Sequence, residues 1–316
     1  SAFSQRAFMD AFIDEARVYL GTDGIAGVPF SVDPMVMYWN RDTFNAGGIA
    51  TPPRYWDDFR TLNQKLTVKD DNGNIIRSAV AMGDFSNVVN ARELLGSLIL
   101  QSGNPITASD NYGTLKSTLK QTGGESATPA VTFFTQFVDP SNANYSWNHR
   151  WPDSKTAFVS GKLATYFGLS SELFTLRNKN PNLNFDVSPL PQFRSGVVAA
   201  TYGRLYGFSI VRQTQIANAA FQIISILTLP QFMVNLSNDM YLPSVSRAII
   251  GAGSIDPYIS IFNEGALIAR GWRDADPAAS RSVFALMTQA ITTGRKSIYE
   301  ALSTASDQYD AALQQA

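Results

Sequence analysis

The sequence predicts an α/β fold. Short apolar runs of strand length alternate with longer stretches of helical periodicity from one end of the 316 residues to the other. No internal repeat and no low-complexity linker interrupts them, which argues for two lobes joined by several chain crossings rather than beads on a string. A hydrophobic fraction of 45% against 16% charged is that of a folded chain able to bury one large core or two smaller ones.

The elements follow in order. Phe3, Ala7, Phe8, Ala11, Phe12 and Ala16 recur at helical spacing, with Asp10, Asp14, Glu15 and Arg17 opposite, so one amphipathic helix is expected to run to Tyr19-Leu20-Gly21, ahead of a turn at Gly21-Thr-Asp-Gly24. Gly27-Val-Pro-Phe leads into a strand over 32–40, and a short helix over 41–46 is stopped by Gly47-Gly48. Thr51-Pro52-Pro53 stiffens the approach to a helix over 56–66. Residues 66–83 read as two strands joined at Asp71-Asn-Gly73, the second ending over 79–83. Asp70, Asn72 and Asn74 resemble half of a calcium loop, but Ile75 stands where that loop needs Gly and Ala81 where it needs Glu, so a plain hairpin turn is the reading.

Residues 91–101 form an apolar helix, 104–121 a polar, turn-rich stretch with room for a short strand, and 127–138 a buried helix. The loop 142–152 carries Tyr145, Trp147 and Trp151 around Asn148-His149-Arg150, and Asp153 is placed to cap a helix over 154–160. A strand over 163–168, a helix over 170–178, and strands over 185–190 and 201–211 follow. The chain ends in helices over 216–229, 231–238, 255–269, 278–292 and 297–314, with a loop at Tyr241-Leu-Pro243.

Composition excludes several chemistries. There is no cysteine, hence no disulfide, Cys-based zinc site or thiol nucleophile, and a single histidine, His149, makes a His-rich metal site or a His-based triad hard to build. A net charge of −1 with no Lys/Arg block leaves no footprint for nucleic acid. No apolar run reaches the roughly 18–20 residues of a membrane span; 219–229 is the longest. Ser1-Ala2 could be the remnant of a cloned tag. No cofactor is expected.

Several segments occur together in a telling order: Gly27 to Asn40 as a strand crossing a junction, Thr51-Pro-Pro-Arg-Tyr-Trp-Asp-Asp-Phe59, Ala157-Phe158-Val-Ser-Gly161-Lys162-Leu-Ala164 before a strand, Val187-Ser-Pro-Leu-Pro191, Tyr206-Gly-Phe-Ser-Ile210 running into a helix, and Tyr241-Leu-Pro243-Ser-Val-Ser-Arg247. In that order and spacing the chain resembles the extracellular solute-binding proteins of family 1, the maltose- and oligosaccharide-binding type that feeds ABC importers.

The resemblance implies a periplasmic-binding-protein-like class II fold, with a carbohydrate held between two α/β lobes and trapped by hinge closure. It places lobe 1 at 1–32 and 203–255, lobe 2 at 38–200 and 278–316, and hinge crossings near 30–38 and 200–206. Such proteins open with several β-α units before the segment that begins here, so lobe 1 is expected to be incomplete and lobe 2 nearly whole. It also implies ABC permease subunits as partners, an extracellular, cell-surface or periplasmic location, membrane association only through an N-terminal anchor, and a monomer.

The site expectations follow from loop position and residue type. Ligands in α/β sheets sit beyond strand carboxyl ends, which points to Asp84, Phe85 and Asn87 after one strand and Ser170 after another. Trp147 and Trp151 are loop aromatics suited to stacking on sugar. Tyr202 and Arg204 lie near the second hinge strand, where Arg204 binds either a hydroxyl or a surface carboxylate. Trp272 is either a cleft aromatic or a helix-packing residue, whereas Trp39 and Trp56 belong to the core. Asp33 either meets ligand or caps a turn with Pro34, the turn being favoured. The competing functions are a glycoside-active enzyme, for which the adjacent acids Asp57-Asp58 and Asp70-Asp71 look like solvated caps, and a binding scaffold for protein contacts.

Overall fold

The computed structural model describes residues 4–21, 24–274 and 276–315. The expected helix start at Phe3, the Ser1-Ala2 remnant and the centre of the Gly21–Gly24 turn lie outside the described residues. In chain order the elements are α1 (Gln5–Ala11), β1 (Leu20–Gly21), β2 (Gly24–Ile25), β3 (Val28–Asn40), α2 (Arg41–Ala46), α3 (Phe59–Leu66), β4 (Val68–Lys69), β5 (Ile75–Val80), α4 (Ala91–Gln101), β6 (Thr107–Ser109), β7 (Leu115–Ser117) and α5 (Thr128–Thr135). They continue with α6 (Ser154–Val159), β8 (Leu163–Leu169), α7 (Leu173–Lys179), β9 (Phe185–Pro189), β10 (Thr201–Phe208), α8 (Ala217–Leu227), α9 (Pro230–Met240), α10 (Arg247–Gly251), α11 (Pro257–Leu267), β11 (Ala269–Arg270), α12 (Pro277–Thr292) and α13 (Ile298–Leu313). The alternation is that of a mixed α/β protein, as expected.

The chain divides into two compact units. Unit 1 comprises the described residues of Ser1–Val36, Leu169–Leu173 and Thr201–Gly271; unit 2 those of Met37–Gly168, Phe174–Ala200 and Trp272–Ala316.

In unit 1, β10 pairs antiparallel with the first half of β3, with a bulge at Tyr206/Gly207, and parallel with β11. The core gathers Phe8, Phe12, Ile13, Ala16, Val32, Met233, Val245, Ile250, Ala266 and Ala269. The single N-terminal helix expected from periodicity is broken. Phe12 bridges Ser246, and the Ile13 N–H donates to the Val245 carbonyl at 2.9 Å, so the chain leaves α1 and resumes as a 3-10 turn over Asp14–Tyr19. A long-range backbone pairing has overridden a local pattern. β3 begins at Val28 rather than residue 32, because Val28 and Pro29 pair with Phe208 and Gly207. The last residue of the expected helix over 255–269, Ala269, instead opens β11, which pairs with β10. Asp33 is not a turn residue: it lies inside β3, wholly buried.

The α8–α9 segment of unit 1 is unusual. α8 has no buried residue, and Phe221 (60% exposed), Ile223, Ile226 and Leu229 face solvent. Pro230 starts α9 after a 71° bend, and no single helix among the described residues is long and apolar enough to cross a membrane. A patch of this kind promotes self-association. The double variant Phe221→Lys, Ile226→Lys is expected to leave stability within about 0.5 kcal/mol of the parent, since both side chains are exposed. It should also lower concentration-dependent association in sedimentation velocity.

In unit 2 the strand order is β3-β8-β5-β4, with β9 also pairing β3. β5 and β8 run parallel, β4 and β5 antiparallel. Residues 31–40 of β3 are buried without alternation, as suits a strand covered on both faces. Aromatic rings fill this unit: Trp56, wholly buried, packs on Phe59 and Phe167 and donates its indole N–H to Gln101 Oε1 at 2.8 Å, while Tyr38 stacks on Tyr166. Trp39 is buried as well. The 70–74 turn is a hairpin turn: Asp70 Oδ1 accepts from the Asn72 and Asn74 N–H groups, and Gly73 takes φ +79°. The 104–121 stretch holds a hairpin, β6–β7, where one short strand was expected. Asp153 caps α6 by accepting from the Thr156 N–H, and Ser297 with Glu300 forms a capping box on α13.

Candidate functional site

Unit 2 carries a groove of about 530 Å³ lined by both apolar and polar groups. One wall is the loop after β5: Gly83, Asp84, Phe85 and Ser86. Asn148 and His149 contribute from the aromatic loop, and Leu286, Gln289 and Thr293 from the α12 side. Gly83 makes the turn out of β5 possible: it takes φ +88°, and a Cβ there would come within 3.0 Å of the Phe134 carbonyl and Val138. Asp84 Oδ1 accepts from the Ser86 N–H and hydroxyl at 2.9 and 2.6 Å, which fixes the loop as an Asx turn. Phe85 is buried edge-on to Phe134.

Two sequence-predicted residues, Asp84 and Phe85, thus line one groove, together with Asn148 and with His149, for which the sequence favours an ordinary exposed loop histidine over a ligand donor. Asn87, Trp147 and Trp151 stand behind this wall and bind one another. Asn87 accepts from Trp147 Nε1 at 2.7 Å and donates both amide hydrogens, to the Asn148 and Trp151 carbonyls at 2.9 and 3.1 Å. Trp147 is wholly buried and stacks on Trp151, ring centres 5.2 Å apart. The loop that holds His149 is therefore tied to the loop that holds Asp84 by one side-chain amide. Replacing it with Asn87→Ala strands the buried Trp147 donor and two carbonyls; a loss of about 2 kcal/mol in equilibrium denaturation is expected, with Asn87→Asp, which keeps the acceptor, losing less.

Trp272 occupies a different part of unit 2. Its indole N–H donates to the Tyr309 hydroxyl at 3.0 Å, the Arg92 guanidinium lies 4.4 Å from its ring centre, and it sits on Gly96, where a Cβ would come within 2.5 Å of the ring. Burial and the adjacent Asp274 carboxylate push the Tyr309 hydroxyl well above its ordinary range.

The remaining site candidates belong to unit 1. Tyr202 and Arg204 lie on β10, Arg204 opposite Asp33 of β3 and exposed. Ser170 is buried and gives its hydroxyl hydrogen to Asp33. Burial raises the Asp33 carboxyl, against the lowering effect of its Ser171 and Ser170 hydrogen bonds and of Arg204. Among the described residues, no cluster of His, Asp and Glu could hold a metal ion.

The chain belongs to the bacterial extracellular solute-binding proteins, whose family model matches residues 6–233. Among solved structures it is similar to one described as CpMnBP1 with mannotriose bound, at 18% identity and a TM-score of 0.71, covering 98% of this chain and 78% of that one. It is likewise similar to CpMnBP1 with mannobiose bound, at 19% identity and a TM-score of 0.69, covering 95% and 76%. At such identity the likeness is one of fold, the periplasmic-binding-protein-like fold expected above. No curated protein sequence matches the chain.

Proposed function

We propose that the chain is the carbohydrate-binding subunit of a bacterial ABC importer, working outside the cell membrane, with an oligosaccharide as its solute. The observation that carries this reading is the mannotriose and mannobiose held by structures of the same fold. The unit 2 groove is chemically suited to it: Phe85 offers an apolar edge, and Asp84, Asn148, His149 and Gln289 offer groups for hydroxyls. Unit 1 and unit 2 are read as the two lobes, and the passages at 36–37, 200–201 and 271–272 as hinge segments. The subunit hands its solute to the permease and performs no chemistry on it. Asp57 and Asp58, one of the adjacent acid pairs in the sequence, are both engaged by Arg194, at 3.5 and 3.3 Å.

Isothermal titration with mannobiose, mannotriose and a maltose-type control tests the reading. Binding of at least one is expected, and at a ligand concentration of 100 times Kd the protein gains about 2.7 kcal/mol of stability, visible as a rise in Tm. Absence of both heat and Tm shift across the panel overturns it, and release of reducing sugar from a chromogenic glycoside overturns the non-catalytic part.

A further inference from the structure

The segment Leu169–Leu173 belongs to unit 1, although the chain on both sides of it belongs to unit 2. It follows the carboxyl end of β8, the position at which α/β sheets meet their ligands. The Asp33 side chain fastens this excursion to unit 1. Asp33 Oδ1 accepts from the Ser170 hydroxyl at 2.8 Å and from the Ser171 N–H at 3.0 Å, and Asp33 Oδ2 accepts from the Ser171 hydroxyl at 2.7 Å. Asp33 is wholly buried within β3, and Ser170 is 1% exposed. A buried carboxylate is costly unless its lone pairs are met, and here three neutral donors from two consecutive residues meet them. Arg204, its partner across the β3–β10 pair, also bears on it.

We propose that Asp33 is a positioning residue for solute binding: its carboxylate clamps Ser170 and Ser171 and so sets the conformation of the Leu169–Leu173 turn in the binding-competent protein. This rests on the solute-binding reading above. Ser170 then serves binding through its backbone placement, because its hydroxyl hydrogen is spent on Asp33. The clamp joins β3, the strand that carries the chain from unit 1 into unit 2, to the segment that leaves and re-enters unit 2, so two passages of the chain share one anchor.

The test compares Asp33→Asn, Ser171→Ala and Ser171→Thr with the parent. Amide hydrogen exchange over 169–173, the Kd for mannotriose and the Tm are measured for each. In Asp33→Asn the Ser171 amide is expected to exchange about tenfold faster and mannotriose to bind about tenfold more weakly, as befits loss of charge-assisted hydrogen bonds. Ser171→Ala should move both readouts the same way by less, and Ser171→Thr, which keeps hydroxyl and amide, should match the parent. Should Asp33→Asn not fold, the Ser171 pair carries the comparison. Unchanged exchange in Asp33→Asn overturns the clamp. Weaker binding with unchanged exchange also overturns it, since Asp33 would then meet the solute directly. If the parent binds neither mannobiose nor mannotriose, the carbohydrate reading fails while the exchange measurement still decides the clamp.

Discussion

Arg92→Ala is expected to destabilise unit 2 by about 3–5 kcal/mol in equilibrium denaturation, the cost of leaving a buried ion without its partner. Arg92 and Asp274 form a salt bridge in which the side chains are 7% and 6% exposed. The guanidinium also donates from Nε to Ser280 Oγ at 2.7 Å, pairs with Glu93 at 3.0 Å and lies over the Trp272 ring. Asp274 accepts in addition from Ser280 and Tyr309, at 2.6 and 2.9 Å. Removing Arg92 leaves that carboxylate with two neutral donors in a dry setting. Arg92→Lys keeps the charge but not the planar fork, and should recover only part of the loss. Replacing Arg92 and Asp274 together by apolar residues of similar volume should cost less than the two single alanine changes summed, which a double-mutant cycle measures. A loss below about 1 kcal/mol for Arg92→Ala would mean that the pair is solvated.

The second large effect is a dependence of stability on pH set by Glu15. Burial raises its carboxyl from the ordinary 4.5 to about 7, against the opposing influence of a Gly271 N–H and of Arg270, with Asp14 adding to the rise. A raised carboxyl pKa means that the folded protein holds a proton which the unfolded chain releases. Stability from this group is therefore fully present below pH 4.5 and is lost as the pH rises through 7. A tenfold change in proton affinity is worth about 1.4 kcal/mol, so the amount is about 3 kcal/mol at most, since the side chain keeps partial contact with water. Glu15→Gln should abolish this slope, so that the difference between variant and parent grows from about pH 5 to about pH 7 and levels off above. Asp70 and Glu300, lowered by hydrogen bonds, and Asp153, lowered by hydrogen bonds and Lys179 against its partial burial, act in the opposite sense at acid pH and cancel in that difference. Parallel curves for the two proteins between about pH 5 and 8 would refute the assignment.

Much of the fold was legible because its signals are local. The uninterrupted apolar run around Met35 to Trp39 reads as a strand crossing a junction, α4 matches its apolar stretch residue for residue, and α13 declares itself by apolar residues at helical spacing. What was illegible depends on partners far along the chain. The break after α1 comes from Val245 and Ser246, and the turn read into Asp33-Pro34 dissolves because Gly203 and Arg204 draw both residues into a strand pair. The site follows the same rule. Loop position drew attention to Asp84 and Phe85, but nothing local reveals that Asn87 spends its whole amide on Trp147, Asn148 and Trp151, or that Trp272 lies beneath Arg92. His149 and Asn148 could have been placed by asking what a tryptophan-rich loop must bond to once its rings are buried.

The interleaving of the two units bears on how the protein is made. On a ribosome, β3 emerges long before β10, so Val28 must wait for Phe208, a delay of roughly 10–35 s at ordinary rates of synthesis. Throughout that interval the first half of β3, from Val28 to Pro34, lacks its β10 partner. Nor can unit 1 close until Gly271 has been added. Neither unit can mature while the other is still being translated, which makes the nascent chain a natural client for chaperones that shield strands during synthesis.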